Sequence, residues 1–222
     1  DIEPGDGFAR AKKYFGQIPA QPVPRRPDVE PLEPLTGVPR RSVTEDVPAD
    51  AVYAVWRLPA RETREFDALN IALDVLGGGH ASRIHRRLVR EDEIASGAGA
   101  SAMPLIGGTS LGLLFARALD GVALGVLEQT MAEEVARLAS EGPTDAELAR
   151  SKVQFERQWL GDCARMDARA DLIGAFATLH RDPERINTRP VEYASITADE
   201  VRDAAARWLT SNTWAILEYH RN

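Results

Sequence analysis

Half of the chain's 14 prolines fall between residues 19 and 39, in the segment IPAQPVPRRPDVEPLEPLTGVP. Proline has no backbone N–H and a fixed φ, so a run this dense excludes a helix or an inner strand and favours an extended linker. A short amphipathic helix, GDGFARAKKYF, precedes it at 5–15. We therefore divide the chain into an N-terminal segment at 1–18, a linker at 19–40 and a domain at 41–222.

Hydrophobic periodicity in the domain alternates between strand and helix patterns. Two capping boxes, Thr144–Glu147 and Thr197–Glu200, mark helix starts. The order predicts an α+β fold, with a mainly antiparallel sheet covered by helices on one face. The predicted strands are 42–47, 51–58, 95–103, 109–119 and 213–219, and the predicted helices are 62–76, 82–92, 120–140, one long helix from 144 to about 180, and 197–209.

Composition excludes several classes of protein. The net charge of -7 argues against a general nucleic-acid binder. The sequence contains no apolar run of about 18 residues, so we expect no membrane span. Its single cysteine excludes an internal disulfide framework.

The stretch LGGGHASRIHRRLVRED, residues 76–92, looks most like a functional motif. A phosphate-binding glycine loop follows a strand and opens a helix. Here Gly77, Gly78 and Gly79 follow a predicted helix, and no GK[ST] is present. The glycines are therefore interpreted as the end of one helix and a tight turn before the next.

The two histidines of this stretch do not predict a metal site. His80 and His85 are five residues apart, which places them about 140° apart on a helix. Zinc-binding helices use histidines at i and i+4. His180 and His220 stand alone, and neither HxxEH nor HExxH occurs. We expect no bound metal and no other cofactor in this chain.

Four arginines, at positions 83, 86, 87 and 90, fall within about 100° of a helical wheel. One interpretation is a solvated face, neutralised by nearby acidic side chains. The other is a docking face for carboxylates or peptide carbonyls, which arginine forks bind well. The possible docking residues are Arg83, Arg86, Arg87 and Arg90.

Several segments together resemble the C-terminal, zinc-free domain of a pitrilysin/insulinase-type zinc metallopeptidase. The similarity is greatest to the branch of bacterial zinc proteases and mitochondrial processing peptidases. The segments are GDGFARAKKYFGQIPAQPVP, LDVLGGGHASRIHRRLVRED, EGPTDAELARSKVQF and ASITADEVRDAAARWL, and they span nearly the whole chain.

The resemblance implies a protein of two similar α+β domains that face each other across a chamber. The first would carry HxxEH and a downstream glutamate, which hold the catalytic zinc. Residues 1–18 would then be the tail of that missing N-terminal zinc domain, and 41–222 the second domain. The implied partners are the zinc domain of the same chain, a peptide substrate, and a homo- or hetero-dimer partner.

The resemblance also implies a role for one arginine. Second domains of this family carry an arginine and, seven residues later, a tyrosine that reach the substrate. Arg90 matches the arginine, so it is the implied substrate-binding residue, but Gly97 stands at the tyrosine position. We assign no catalytic residue and expect the chain to be inactive alone.

Two other functions remain open from the sequence. The chain could be a non-enzymatic scaffold or partner subunit of a processing-peptidase-like complex, or an anion-binding module that uses the arginine face. Bacterial relatives are often exported, so the periplasm is preferred over the cytoplasm.

Overall fold

A computed structural model describes residues 3–22, 24–25, 29–30, 32–61 and 63–222. Elements are numbered in chain order. They are α1 Pro4–Phe15, β1 Arg40–Glu45, β2 Ala51–Leu58, α2 Arg64–Gly77, a π helix His85–Glu91, β3 Ala95–Met103, β4 Ser110–Ala118, α3 Leu124–Glu141, α4 Asp145–Ala164, α5 Met166–Ala175, a single π turn Phe176–His180, α6 Arg185–Ala194, α7 Ala198–Trp208 and β5 Trp214–Arg221.

The described residues of the N-terminal segment, 3–18, contribute nothing to the core. Helix α1 buries none of its residues, and the side chains of Phe8 and Phe15 are 77% and 68% exposed. Part of the predicted linker, at 23, 26–28 and 31, lies outside the described residues. The described residues between 17 and 39 form neither helix nor strand, as the prolines predict.

The five strands form one sheet in the order β1-β5-β2-β4-β3. β1 and β5 are parallel, and the other three neighbouring pairs are antiparallel. Ala54 in β2 lies opposite both Leu114 of β4 and Ile216 of β5. The predicted α+β fold with a mainly antiparallel sheet is therefore confirmed.

The core lies between one face of the sheet and helices α2, α3 and α7. In β2, burial alternates with the period of two that a half-covered sheet requires. Four side chains of β2 are at most 1% exposed, while the residues between them are partly exposed; the four are Val52, Ala54, Trp56 and Leu58. The indole of Trp56 packs against Trp214 and donates a hydrogen bond of 2.9 Å to the carbonyl of Thr210.

Both predicted capping boxes are confirmed. Thr144 begins α4 and Thr197 begins α7, and in each box the glutamate three residues later accepts from the backbone N–H of the threonine. Each box satisfies N–H groups that the first helical turn leaves unpaired. These helix starts are therefore encoded locally.

The predicted long helix from 144 to about 180 is wrong. Arg165 has an extended backbone, with φ -87° and ψ 133°, and separates α4 from α5. Helix α6, which contains Pro190, was not predicted. Helix α6 is held by the buried side chain of Tyr193, which is 2% exposed, and by an ion pair between Arg189 and Asp67 of α2. The hydrophobic periodicity of residues 185–194 does not reveal these distant contacts.

No helix in the described parts of the chain is long and apolar enough to cross a membrane.

Candidate functional site

The glycines of the LGGG stretch end α2, as predicted. Gly77 is the last residue of α2, Gly78 caps it, and Gly79 turns the chain with φ +93°. This positive φ favours glycine. The turn delivers the chain into the π helix, which carries three of the four arginines.

Arg83 does not lie on the surface with the other arginines. It is 4% exposed, and its Nε and Nη2 donate to the carboxylate of Glu147 at 2.8 and 2.7 Å. Nη2 also donates to the carbonyl of Gly142 at 2.9 Å. The predicted basic face therefore lacks Arg83, which instead ties the start of the arginine stretch to the start of α4.

The electrostatics of this buried pair favour its charged form. Burial alone would raise the pKa of Glu147, but hydrogen bonds from Arg83 and Thr144 lower it to about 2. The hydrogen bond to Glu147 also raises the pKa of Arg83, against the opposing effect of burial. Sequence reasoning missed Glu147 as the partner, although its place in a capping box was visible.

The arginine stretch is helical as predicted, but residues 85–91 form a π helix. A π helix places residues i and i+5 next to each other, and π-helical segments occur frequently at functional sites. Arg86 therefore pairs with Glu91 at 3.4 Å, and Arg87 with Asp92 at 2.7 Å. These two arginines are neutralised locally, as the solvated-face interpretation expects.

Arg90 is the exception. It is exposed, and within the described part of the chain it forms no ion pair or hydrogen bond through its guanidinium. The π register explains this, because the residues five positions before and after Arg90 are His85 and Ala95, and neither is a carboxylate. The structure therefore presents Arg90 as a cation free to bind a ligand.

The two histidines of the stretch are in contact. His80 lies in the turn before the helix, so the expected separation on a helical wheel does not apply to it. Its Nδ1 lies 2.9 Å from Nε2 of His85, and the two rings meet edge to face at 4.6 Å. The positive charge of Arg90 also acts on His85.

His85 should titrate below an ordinary histidine. Burial lowers its pKa most, followed by the nearby His80 and Arg90. As pH falls below about 6.5, the unfolded chain takes up this proton before the folded chain does, so stability decreases through the window between that value and the lower folded pKa. We expect an NMR titration to place the pKa of His85 below the ordinary value of 6.5, and Arg90→Gln to raise the pKa of His85. A pKa at or above 6.5 in the native chain would contradict this arrangement.

Gly97, at the position where the resemblance implies a tyrosine, lies on β3 opposite Arg117 of β4. The ladder between β3 and β4 is irregular here, between Ala95 and Gly97. A Cβ built at Gly97 would meet no atom within 4 Å. Packing near the backbone would therefore leave room for a side chain at position 97. Because this residue is glycine, position 97 provides no phenol that could act together with Arg90.

The described residues contain no group of three or more histidine, cysteine, aspartate or glutamate side chains that could hold a metal ion. The candidate site is thus a basic π helix with one free arginine on an α+β domain. What it can do chemically is bind a carboxylate or a peptide carbonyl.

Solved structures show which class of fold this is. The chain is similar to a protease from Helicobacter pylori, with 19% identity, TM-score 0.85 and coverage of 99% of this chain and 53% of that one. It is similar to a candidate zinc protease from Bordetella pertussis Tohama I, with 22% identity, TM-score 0.67 and coverage of 78% and 94%. It is also similar to the periplasmic protease PqqL from Escherichia coli, with 16% identity, TM-score 0.74 and coverage of 100% and 24%. The fold is that of a domain found in proteases.

The family follows from a sequence model. The model of the Peptidase M16 inactive domain matches residues 1–155, and the chain belongs to this family. Comparison with curated protein sequences finds no match. The chain spans about half the length of the Helicobacter pylori protease and about a quarter of PqqL. The predicted resemblance to the inactive domain of a zinc peptidase is confirmed at the level of the M16 family.

Proposed function

We propose that this chain is the C-terminal domain of a zinc metalloendopeptidase that cleaves peptides or unfolded segments. In this proposal the domain closes the peptide chamber opposite a zinc-bearing N-terminal domain and supports substrate binding. The observation that carries the proposal is the match to the M16 inactive domain, in a chain that spans about half of the similar Helicobacter pylori protease.

The roles divide between the two domains. Zinc held by HxxEH in the N-terminal domain would activate water for attack on the peptide bond. This chain contains no HxxEH, so its own contribution is binding. Residues 1–18 would be the tail of the zinc domain, 19–40 the linker and 41–222 the second domain, and the exposed side chains of Phe8 and Phe15 would pack against the zinc domain.

Arg90 is the residue we assign to substrate. Its guanidinium can donate two parallel hydrogen bonds to a peptide carboxylate, or a single charge-assisted bond to a carbonyl. The neighbouring Arg86 and Arg87 are paired with carboxylates, so Arg90 is the member of the docking face with unused donors. The relative PqqL is periplasmic, which supports a periplasmic location in a bacterium for this protein.

The test compares this chain with the longer polypeptide from the same gene. We expect the chain alone to contain no stoichiometric zinc by elemental analysis and to leave an unfolded casein substrate intact. The longer polypeptide should bind about one zinc and cleave casein until a chelator is added. Stoichiometric zinc and chelator-sensitive cleavage in the chain alone would disprove the division of roles.

Within the active polypeptide, Arg90→Ala should reduce kcat/KM by about 10- to 100-fold, since a lost charge-assisted hydrogen bond costs about 1.5–3 kcal/mol. Arg86→Ala is the matched control, because it removes an arginine of the same helix that is already paired with Glu91. The control should change kcat/KM by less than about twofold. Equal losses in the two variants would indicate a general charge effect and exclude a specific role for Arg90.

A non-enzymatic partner subunit is the second candidate, and Gly97 is the observation that favours it. Without a phenol at this position, the domain lacks a donor for a developing oxyanion. In that case the longer polypeptide would lack HxxEH and would neither bind zinc nor cleave casein.

A further inference from the structure

The two histidines of the arginine stretch meet through one ring nitrogen each. Nδ1 of His80 lies 2.9 Å from Nε2 of His85, and the two rings are inclined at 80°. In a neutral pair at this distance, one nitrogen carries a proton and the other accepts it with its lone pair. The pair therefore offers two imidazole nitrogens to a ligand that can replace this shared proton.

The turn before the π helix fixes the position of His80. Gly79 has φ +93°, and the backbone N–H and the hydroxyl of Ser82 both donate to its carbonyl, at 3.1 and 2.6 Å. Ser82 is 1% exposed, so this turn is anchored in the interior of the domain. His80 itself is exposed. The histidine is thus held on a short, closed segment, and a ligand that binds it orders little additional chain.

The π helix fixes His85 and selects the nitrogen that it presents. Nδ1 of His85 is buried and has no hydrogen-bond partner among the described residues. Nε2, which contacts His80, is therefore the nitrogen that a ligand can reach. Burial and the nearby His80 and Arg90 lower the pKa of His85, so its ring is neutral near pH 7. Neutral imidazole is the form that binds metal ions.

The distance between the two nitrogens suits a metal ion with square-planar geometry. Imidazole nitrogens bind such ions at about 2.0–2.1 Å, so two of them at neighbouring corners of a square are about 2.8–3.0 Å apart. At neighbouring corners of a tetrahedron they would be about 3.3–3.4 Å apart. The observed 2.9 Å matches the square, so the rings need to turn towards a common ion but not to separate.

The surroundings of the pair select among cations. The positive charge of Arg90 acts on His85 and opposes cations that are held mainly by charge. Mg²⁺ and Ca²⁺ also require oxygen ligands. Within the described residues, no third histidine, cysteine, aspartate or glutamate completes a group of three around a metal. An ion with strong bonds to neutral nitrogen is favoured, and among divalent first-row metals Cu²⁺ forms the strongest.

We propose that His80 and His85 form a surface site for Cu²⁺. Nδ1 of His80 and Nε2 of His85 occupy two adjacent positions of a square plane, and water occupies the others. The proton between the two nitrogens moves to another ring nitrogen or to water, because a coordinating nitrogen carries none. The separation on a helical wheel argued against a shared ion, and the contact across the turn reverses that argument. This site is independent of the zinc proposed for the N-terminal domain.

The first test locates the ion. The chain without a purification tag is treated with EDTA, transferred near pH 7 to MOPS, which binds metals weakly, and titrated with Cu²⁺. Electron paramagnetic resonance should show one tetragonal Cu²⁺ per chain with nitrogen coupling. In NMR spectra, the paramagnetic ion should broaden the ring signals of His80 and His85 before those of His180 and His220. Absence of binding, or earlier broadening of His180 or His220, would overturn the proposal.

The second test removes one ligand. His80→Gln should weaken Cu²⁺ binding by at least about tenfold, since loss of a partner outside the ligand shell already lowers metal affinity about 10- to 100-fold. His220→Gln is the matched control, because His220 is also partly exposed and its side chain lies 4.0 Å from Asp50. The control should change the affinity by less than about twofold. Both variants should melt at the native temperature by circular dichroism. Equal affinities of His80→Gln and the native chain would exclude the site.

The third test checks the geometry of the site. Zn²⁺ prefers four tetrahedral ligands, whereas Cu²⁺ prefers the square plane. Competition titrations with the native chain should therefore show that Cu²⁺ displaces Zn²⁺ at equal concentration. If Zn²⁺ bound as tightly as Cu²⁺, the assignment of the pair to Cu²⁺ would be wrong.

Discussion

Replacing Glu147 with alanine should destabilise the domain by about 3–5 kcal/mol, because the variant leaves the charge of Arg83 buried without its carboxylate. Arg83 is 4% exposed and already has one buried nitrogen, Nη1, without a hydrogen bond in the described structure. Removing Glu147 would leave Nε unpaired as well. Urea unfolding near pH 7, followed by tryptophan fluorescence, measures the loss.

Glu200→Ala is the matched control for this prediction. Glu200 also closes a capping box, with Thr197, and also pairs with an arginine, but that arginine, Arg64, is 50% exposed. The control should lose no more than a helix cap contributes, about 1 kcal/mol. A similar loss in both variants would show that the burial of Arg83 is not the source of the effect.

The ion pair between Glu147 and Arg83 also makes the stability of the domain depend on pH. The pKa of Glu147 is lowered from 4.5 to about 2 in the folded chain, so its contribution is fully present above about 4.5. It is lost as the pH falls from there towards 2. The difference in stability between the native chain and Glu147→Ala should therefore shrink on acidification.

Gly77→Ala is expected to be the second most damaging change, and it should lower the free energy of unfolding by about 1–3 kcal/mol. A Cβ at Gly77 would lie 1.9 Å from the backbone nitrogen of Ala100 and 2.5 Å from the carbonyl carbon of Gly99. These are backbone atoms of β3, so relief requires the end of α2 to move away from the sheet. Thermal unfolding monitored by circular dichroism measures the cost.

Gly161→Ala provides the control for Gly77→Ala. Gly161 is also helical, in α4, but a Cβ there meets nothing within 4 Å. Alanine is the better helix former by about 0.5–1 kcal/mol, so this variant should be more stable than the native chain. If Gly77→Ala were also stabilising, the close approach of α2 to β3 would be incorrect.

Local signals in the sequence predicted the features that depend on local contacts. The capping boxes at Thr144 and Thr197, the end of α2 at Gly77 and the strand alternation of β2 involve neighbours within a few residues. Each leaves a pattern in its own sequence that propensity and periodicity detect, although the buried face of β2 is covered by helices from elsewhere in the chain.

The features that the sequence did not predict depend on distant partners. Arg83 was grouped with the surface arginines because its partner Glu147 lies 64 residues away. Helix α6 was missed because its Pro190 disfavours a helix, while Arg189 is held by Asp67, 122 residues earlier. The contact between His80 and His85 depends on a turn that a helical wheel does not represent.

One residue pattern could have indicated a cavity between α2, α4 and β3, which is lined in part by Asn70 and Asp74. Asn70 and Asp74 interrupt the apolar stripe of α2 at i and i+4, on one face of the helix. Polar residues on an otherwise buried face need partners, and they commonly line a cavity or a site. Its other wall comes from α4, about 80 residues later, so the sequence alone does not show what they face.

The strand order also determines when this domain can fold during synthesis. β5 is made last, yet it lies between β1 and β2 in the finished sheet. Until β5 leaves the ribosome, β1 has no strand to pair with and one side of β2 stays open, although β2, β4 and β3 can already pair. Until β5 is made, the nascent domain therefore exposes the apolar edge of β2, which is the kind of surface that chaperones protect from aggregation.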